Sequence, residues 1–360
     1  MNKNTLKTIK NKKIFFITGK KSFYRSGANN FFKEFVNKNN CYFYFKKEYI
    51  PQFSELKIIL KKSNEFKPDF IFGIGGGCVL DYSKLVKNLY ETDDVKNIIK
   101  KNIILSNTNS IKLYLFPTTA GSGSEATTFS AIYFKHKKMS YDSKKNLVAQ
   151  IIYLPKVLMK CSKYNRSSSG IDAFNQALES IFSRSANNLS IRYSKKSLNL
   201  LLAYLIKHVN NPNNNTSKKM VLAAYYAGKA INIAKTNAPH ALSYPFTYYY
   251  NIDHGFAVSL TFLKVLKFNY KNIDNSINPK ILKNRFKFVF NLFKVKDINS
   301  LINKVRKIYK KAGVRTNFKE YNIDIKKEKK LIIKNVNLQR LNNNPVLIEK
   351  INLENEILID

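Results

Sequence analysis

Short β-branched and aromatic runs alternate with longer stretches of helical spacing through the first 160 residues. IFFIT at 14–18 reads as a strand closed by Gly19, and 22–35 has the spacing of a helix crossing back over a sheet. CYFYFKK at 41–47 reads as the next strand, 54–65 as a helix with a polar face, and DFIFGIGGG as a strand running into three glycines. This βαβα order predicts a parallel α/β sheet whose ligand loops lie at the carboxyl ends of its strands. IKLYLF at 111–116, TTFSAIYF at 127–134 and AQIIYLP at 149–155 continue the β-rich part.

The texture changes after SSSG at 167–170. Segments 171–184, 189–209 and 217–235 have helical length and spacing, with NPNNNTS marking the turn between the last two. Leu, Phe and Val continue at helical spacing from 256 onward, and 321–360 keeps enough apolar positions to pack. The expected organisation is an α/β domain over 1–160 and a helical domain over 161–360, with a substrate cleft between them. No repeat or heptad tract interrupts it.

Composition narrows the function classes. The 360 residues carry 63 Lys plus Arg against 23 Asp plus Glu, a formal charge of +40. That raises nucleic acid or an acidic membrane as partners on electrostatic grounds. Only eight of the basic residues are Arg, however, and Lys accompanies dense Asn, Ile, Tyr and Phe, as a base-composition bias would produce. No RNA-binding aromatic motif, basic zipper or zinc-finger spacing is found, so neither a specific nucleic acid nor a membrane is expected as a partner. The different-class alternative is a basic nucleic-acid-associated protein with a decayed site. Cys41, Cys78 and Cys161 are too scattered for a disulfide scaffold, and no apolar stretch approaches the ~20 residues of a membrane helix. MNKNTLKTIKNKKIFFITGK lacks a secretory apolar segment, so the expected location is the cytoplasm.

Two glycine-rich segments follow strands. GIGGGCVLDYSK at 73–84 puts Gly75, Gly76 and Gly77 at the opening of a helix, where backbone N–H groups and the positive end of the helix dipole can meet a phosphate. It is neither the GxGxxG nor the Walker A pattern. TTAGSGSEAT at 118–127 adds Thr118, Thr119 and Ser122 as hydroxyl donors to a ribose, diphosphate or nicotinamide amide.

A second constellation lies in the helical part. In SSSGIDAFNQALES, Asp172, Gln176 and Glu179 fall at i, i+4 and i+7 on one face of a helix expected to start near Gly170. KTNAPHALSYPFTYYYNIDHG supplies His240 and His254, two of four histidines. One hard oxygen and two imidazoles suit a catalytic divalent metal with an open position. His136, in KHKK, and His208, near a helix end, are expected to be surface imidazoles without a function.

These segments resemble the iron-containing alcohol dehydrogenase family, whose fold is shared by glycerol dehydrogenases and dehydroquinate synthases. GGGCVLD resembles GGGSxxD, TTAGSGSEAT resembles TTAGTGSEVT, and SGIDAFNQALES resembles SGxDAxxHAxEA. AAYYAGKAINIAKTNAPHA and IDHGFAV match the two later motifs in order. QALES, HALSYPFT and IDHG are closest to a subgroup of phosphonoacetaldehyde reductases and octulosonate 8-oxidase-like enzymes.

The resemblance implies an α/β nucleotide-binding domain followed by an all-helical metal-binding domain, reversible hydride transfer between NAD or NADP and a small alcohol or aldehyde, and a homo-oligomer, expected to be a dimer. It implies Fe²⁺ or Zn²⁺ on Asp172, His240 and His254, with Gln176 at the position of a ligand histidine. Asp172 and His254 are thereby also candidate catalytic residues. Gly19, Gly75, Gly76, Gly77, Asp81, Thr118, Thr119, Ser122 and Lys138 would line the cofactor site. Tyr244 stands where the family has a further histidine and is the candidate proton relay, with Glu179 orienting a helix or ligand. Gly19, followed by Lys20 and Lys21, replaces an Asp that excludes the 2′-phosphate of NADP, which makes NADP acceptable. Gln176 offers only an amide oxygen, so a metal-independent variant is the alternative within the fold. Arg166, Arg184 and Lys235 are candidates for an anionic substrate group such as a phosphonate or carboxylate.

Overall fold

The computed structural model describes residue 6 and residues 8–106, 109–148 and 150–360, with 147 and 148 described by backbone alone. Contacts divide the chain into two compact units, one running to Ser162 and including Asn213–Val221, the other formed by Lys163–Pro212 and Leu222–Asp360.

The first unit is a parallel sheet in the order β2-β1-β3-β4-β7, from β1 (Lys13–Thr18), β2 (Asn40–Phe45), β3 (Phe70–Gly75), β4 (Lys112–Pro117) and β7 (Gln150–Ile151). Alternation sends successive side chains to opposite faces. Ile14, Phe16, Phe70, Phe72, Ile74, Tyr114 and Phe116 join one core cluster, whereas Phe15, Ile17, Ile71, Leu113 and Leu115 join the other. Both faces are covered by helices, which is why these strands read as near-continuous apolar runs. Phe16, Phe32 and Phe72 are fully buried in an edge-to-face cluster, each contributing about 2–3 kcal/mol by burial.

The chain crosses from β1 outward to β2 and then back past β1 to β3, so β1 and β3 flank the point where strand order reverses. In open α/β sheets that is where ligand loops gather. The residues there are Gly19, beyond β1, and Gly75–Gly77, ending β3 and opening α4 (Gly77–Asn88).

Several local expectations need correction. Residues 22–35 form two helices, α1 (Lys20–Arg25) and α2 (Ala28–Val36), because Gly27 adopts a left-handed φ of 74° between them. Residues 127–134 do not join the parallel sheet: β5 (Phe129–Phe134) pairs antiparallel with β6 (Lys137–Asp142), a lysine-bearing strand without an apolar signature. Of 149–155 only Gln150–Ile151 are strand, and Ala149 lies outside the described residues. Helix α3 (Phe53–Phe66) and the short α5 (Val95–Lys101) and α6 (Pro155–Met159) complete the unit's main helices.

The second unit is helical, as is the chain from Lys163 onward. Its α7 spans Lys163–Phe182, starting well before Gly170, which is buried within it. The serine tract that looks loop-like instead satisfies its hydroxyls on carbonyls: Ser169 Oγ donates to Asn165 O (2.6 Å) and Ser167 Oγ to Ala312 O (2.5 Å). Then come α8 (Asn188–Asn210), α9 (Asn214–Ala234), of which the part to Val221 groups with the first unit, α10 (Ala238–Tyr250), α11 (His254–Lys271), α12 (Pro279–Phe293) and α13 (Ile298–Ala312). The tail packs through Ile332, Val346, Leu353 and Ile357. His208 is not a surface residue: it is 2% exposed, and burial, with Arg166 nearby, lowers its pKa to about 4. Among the described residues no helix is long and apolar enough to cross a membrane.

Candidate cofactor loops and metal centre

The two glycine-rich segments meet. Gly75 pairs with Pro117 in the β3–β4 ladder, and the Thr118 N–H donates to Gly75 O (2.9 Å). A Cβ on Gly76 would lie 3.1 Å from Thr119 Oγ1, and one on Gly77 2.7 Å from Ser122 Oγ. Gly75, Gly76, Gly77, Thr118, Thr119 and Ser122 therefore form one surface at the carboxyl ends of adjacent strands. Gly75 is required by close approach, since a Cβ there would lie 2.6 Å from Val79, a branched side chain with little rotamer freedom in the first turn of α4. The first turn of α4 has no side-chain cap on its N–H groups, as an anion-receiving helix end requires. Cys78, in that turn, is kept a thiol by burial, which pushes its pKa up to about 12.

Gly19 precedes α1 at the end of β1, and Lys20 and Lys21 after it are exposed. Lys138 lies on β6 opposite Tyr133, its ammonium 5.9 Å from that ring's centroid. Asp81 is one turn into α4, and its oxygens accept from Ser124 Oγ (2.6 Å) and Ala131 N–H (3.1 Å).

In the helical unit, one ligand atom each from Asp172, His240 and His254 lie within 4.8 Å of one another. Their convergence has local causes. Pro239 opens α10 and puts His240 in its first turn. His254 begins α11 and is followed by Gly255, where a Cβ would strike Ser168 O and lie 2.9 Å from Asp172 N. Only glycine lets the start of α11 touch the α7 backbone beside Asp172.

Both imidazoles have a partner on Nδ1. His240 Nδ1 is 2.5 Å from Glu179 Oε2, and His254 Nδ1 is 3.4 Å from Ser243 Oγ. Glu179 Oε1 accepts the Asn237 N–H (2.5 Å), so one carboxylate ties the start of α10 to α7 and orients His240. This leaves the Nε2 of His240 to face Asp172 Oδ1 at 3.4 Å, buried and with no hydrogen bond. Gln176 Nε2 donates to Asp172 Oδ2 (3.1 Å), while Gln176 Oε1 is also buried without a hydrogen-bond partner. Buried lone pairs are normally satisfied. A carboxylate oxygen and two imidazole nitrogens within 4.8 Å of one another are a donor set for a divalent cation, and the residues fit one. Burial opposes a charge on His240, but Glu179 and Asp172 outweigh it and hold its pKa up to about 10. A proton and a metal ion answer the same negative potential. Tyr244, one turn beyond His240, stacks on the His254 ring with centroids 5.8 Å apart.

Two features escape a reading of spacing. The Asn237 contact with Glu179 is a backbone donation from a residue whose type carries no signal, and Lys84 looks like one more lysine although it is fully buried. Arg166 and Arg184 donate to Val209 O and Asn342 O, carbonyls at helix ends, which gives both a structural role.

Comparison with known proteins follows the same division. The family description "Iron-containing alcohol dehydrogenase" matches residues 2–155, and "Fe-containing alcohol dehydrogenase family, C-terminal" matches 167–357. The 4-hydroxybutyrate dehydrogenase of Clostridium kluyveri is 28% identical over 249 residues, 68% of this chain and 62% of that protein. The phosphonoacetaldehyde reductase of Streptomyces viridochromogenes is 27% identical over 222 residues, 59% of this chain and 56% of that one. The matched segments thus span less than two thirds of either relative. Sulfoacetaldehyde reductase from Bifidobacterium kashiwanohense, solved in complex with NAD⁺, superimposes with a TM-score of 0.81 at 22% identity, covering 96% of this chain and 89% of that one. The α/β-then-helical architecture is shared, and the chain belongs to the iron-containing alcohol dehydrogenase family.

Proposed function

We propose that this protein is a metal-dependent oxidoreductase that moves a hydride between NAD(P)(H) and a small alcohol or aldehyde. The observation that carries the reading is the convergence of Asp172, His240 and His254, with Gln176 one turn along α7 hydrogen-bonded to Asp172. Asp172, His240, His254 and Gln176 would hold Fe²⁺ or Zn²⁺, which supplies Lewis-acid polarisation of the substrate oxygen while the nicotinamide gives or takes the hydride. Once the Nε2 proton gives way to a metal, Glu179 on Nδ1 would hold His240 in the tautomer that offers Nε2 to it, and Ser243 would orient His254.

Tyr244 serves as the proton relay, its phenol beside the His254 ring in the place of the family's second histidine. Gly75–Gly77 and the first turn of α4 receive the cofactor diphosphate, with Thr118, Thr119 and Ser122 hydrogen-bonding around it. Gly19 leaves no carboxylate against a 2′-phosphate, and exposed Lys20 and Lys21 follow it, so both NADH and NADPH bind. The substrate class extends to aldehydes bearing a phosphonate or carboxylate, for which Arg166, Arg184 and Lys235 are the candidate partners. The expected form is a cytoplasmic homodimer.

Metal analysis and fluorescence titration with NADH and NADPH on the purified chain test this reading. Expected are stoichiometric divalent metal and saturable binding of both nucleotides. Failure to bind either nucleotide, or undiminished aldehyde reduction after rigorous metal removal, would reject it.

A further inference from the structure

Asp81 and Lys84 lie one turn apart on the buried face of α4. The Lys84 side chain is fully buried, and its Nζ donates to Phe129 O (2.6 Å), Ser124 O (2.9 Å) and Thr127 Oγ1 (3.2 Å), with Asp81 Oδ1 at 3.3 Å. Asp81 in turn accepts from Ser124 Oγ (2.6 Å) and the Ala131 N–H (3.1 Å). An ammonium has three donors and no acceptor, and every group around it here is an acceptor. Burial disfavours the charged lysine and Asp81 opposes that effect.

Five hydrogen bonds from the two side chains fall on the stretch from Ser124 to Ala131. The preceding residues, 118–123, contain Gly121 and Gly123, the latter at φ 58°, and a loop of that composition is costly to order. At its other end the same loop is fixed by Thr118 N–H on Gly75 O. Both anchors belong to the continuous β3–α4 segment that carries Gly75–Gly77. The two glycine-rich loops are thereby locked into one piece, by a buried ion pair on one side and a ladder hydrogen bond on the other.

We propose that Asp81 and Lys84 are a positioning pair for the nicotinamide nucleotide, shaping the 118–123 loop from behind, and that Asp81 acts through this loop instead of touching the cofactor. The proposal rests on the reading that this unit binds NAD(P). It replaces the motif-based placement of Asp81 among the cofactor contacts, and it brings in Lys84, which that placement omits.

Three variants of the full chain decide it: Lys84→Met, Asp81→Asn and Ser124→Ala. Ser124→Ala loosens the clamp without leaving a buried charge unpaired, so it reports even where Lys84→Met fails to fold. The expected result is a rise of about tenfold or more in the NADH dissociation constant for Lys84→Met and Asp81→Asn, and a smaller rise for Ser124→Ala. Bound metal and kcat at saturating nucleotide should stay near wild type, and hydrogen exchange should quicken across 118–131. A merely structural role would lower the active fraction and kcat while leaving the dissociation constant of the folded protein unchanged. Unaltered NADH affinity in the folded variants overturns the clamp. So does a large effect of Asp81→Asn beside wild-type affinity in Lys84→Met or Ser124→Ala, which would make Asp81 a direct contact. Wild-type protein that binds neither nucleotide would reject the underlying reading instead.

Discussion

The glycine-loop surface of the α/β unit and the Asp172 cluster of the helical unit are built on opposite principles. Behind the loops the buried charges are matched within the protein: Lys84 meets three acceptors and Asp81, and Asp81 meets two donors on the loop. What is offered outward is backbone, exposed by the lack of Cβ atoms. In the helical cluster the outer supports are satisfied, Glu179 by Asn237 and His240, but Gln176 Oε1 and His240 Nε2 are buried without a hydrogen bond. A site for a large, flexible ligand is a shaped backbone; a site for a small ion is a set of lone pairs held apart. The cost of holding them apart is met by the ion.

This contrast predicts that substitutions in one region leave the other's ligand alone. The largest effect is expected for His254→Ala. Losing an imidazole ligand removes Lewis-acid stabilisation of several kcal/mol, so turnover should fall by about a thousandfold or more while NADH binding stays near wild type. Steady-state kinetics beside nucleotide titration check it, and a parallel loss of nucleotide affinity would erase the distinction between the regions.

Glu179→Gln comes next. The two carboxylate oxygens accept from the Asn237 N–H and from His240 Nδ1, so whichever way an amide is turned, one donor faces an NH₂ group. Metal affinity should drop about 10- to 100-fold, measured by competition with a chelator, again with nucleotide binding unchanged. Gly75→Ala tests the other side. The added Cβ must displace Val79 and with it the first turn of α4. Overpacking of this kind costs about 1–3 kcal/mol, and NADH affinity should weaken about tenfold with metal content intact.

How much of this was legible in the sequence follows the same contrast. The sheet was readable because β1, β3 and β4 are apolar on both faces, and the glycine runs mark where backbone must approach backbone. The convergence of Asp172, His240 and His254 was readable as a candidate from Asp172, Gln176 and Glu179 on one helix face and from the scarcity of histidine. β6 was missed because its lysines hide the strand period, and the start of α7 was missed because serine hydroxyls look like loop until their carbonyl partners are seen. His208 looked like surface for its place before NPNNN, yet it is buried and feels the charge of Arg166, whose guanidinium holds the end of α8. Lys84 could not be singled out among so many lysines, since burial is a property of the fold and not of the residue type.

The smallest effect is expected for Gln176→His, and it separates two roles that Gln176 can play. Its amide NH₂ donates to Asp172 Oδ2, which by itself would make Gln176 a support for the carboxylate. That donation fixes the amide so that Oε1 is the atom left over, buried and without a hydrogen bond. If Oε1 is a ligand, an imidazole nitrogen one turn from Asp172 is a stronger donor for Zn²⁺ or Fe²⁺ than a neutral amide oxygen. Metal should then bind several-fold to about tenfold more tightly, a gain of roughly 1 kcal/mol. If Gln176 only steadies Asp172, replacing its NH₂ removes a hydrogen bond and affinity should fall or stay level. Chelator competition with Zn²⁺ reads the difference directly, without relying on turnover, and a tighter complex is the outcome a ligating Oε1 requires.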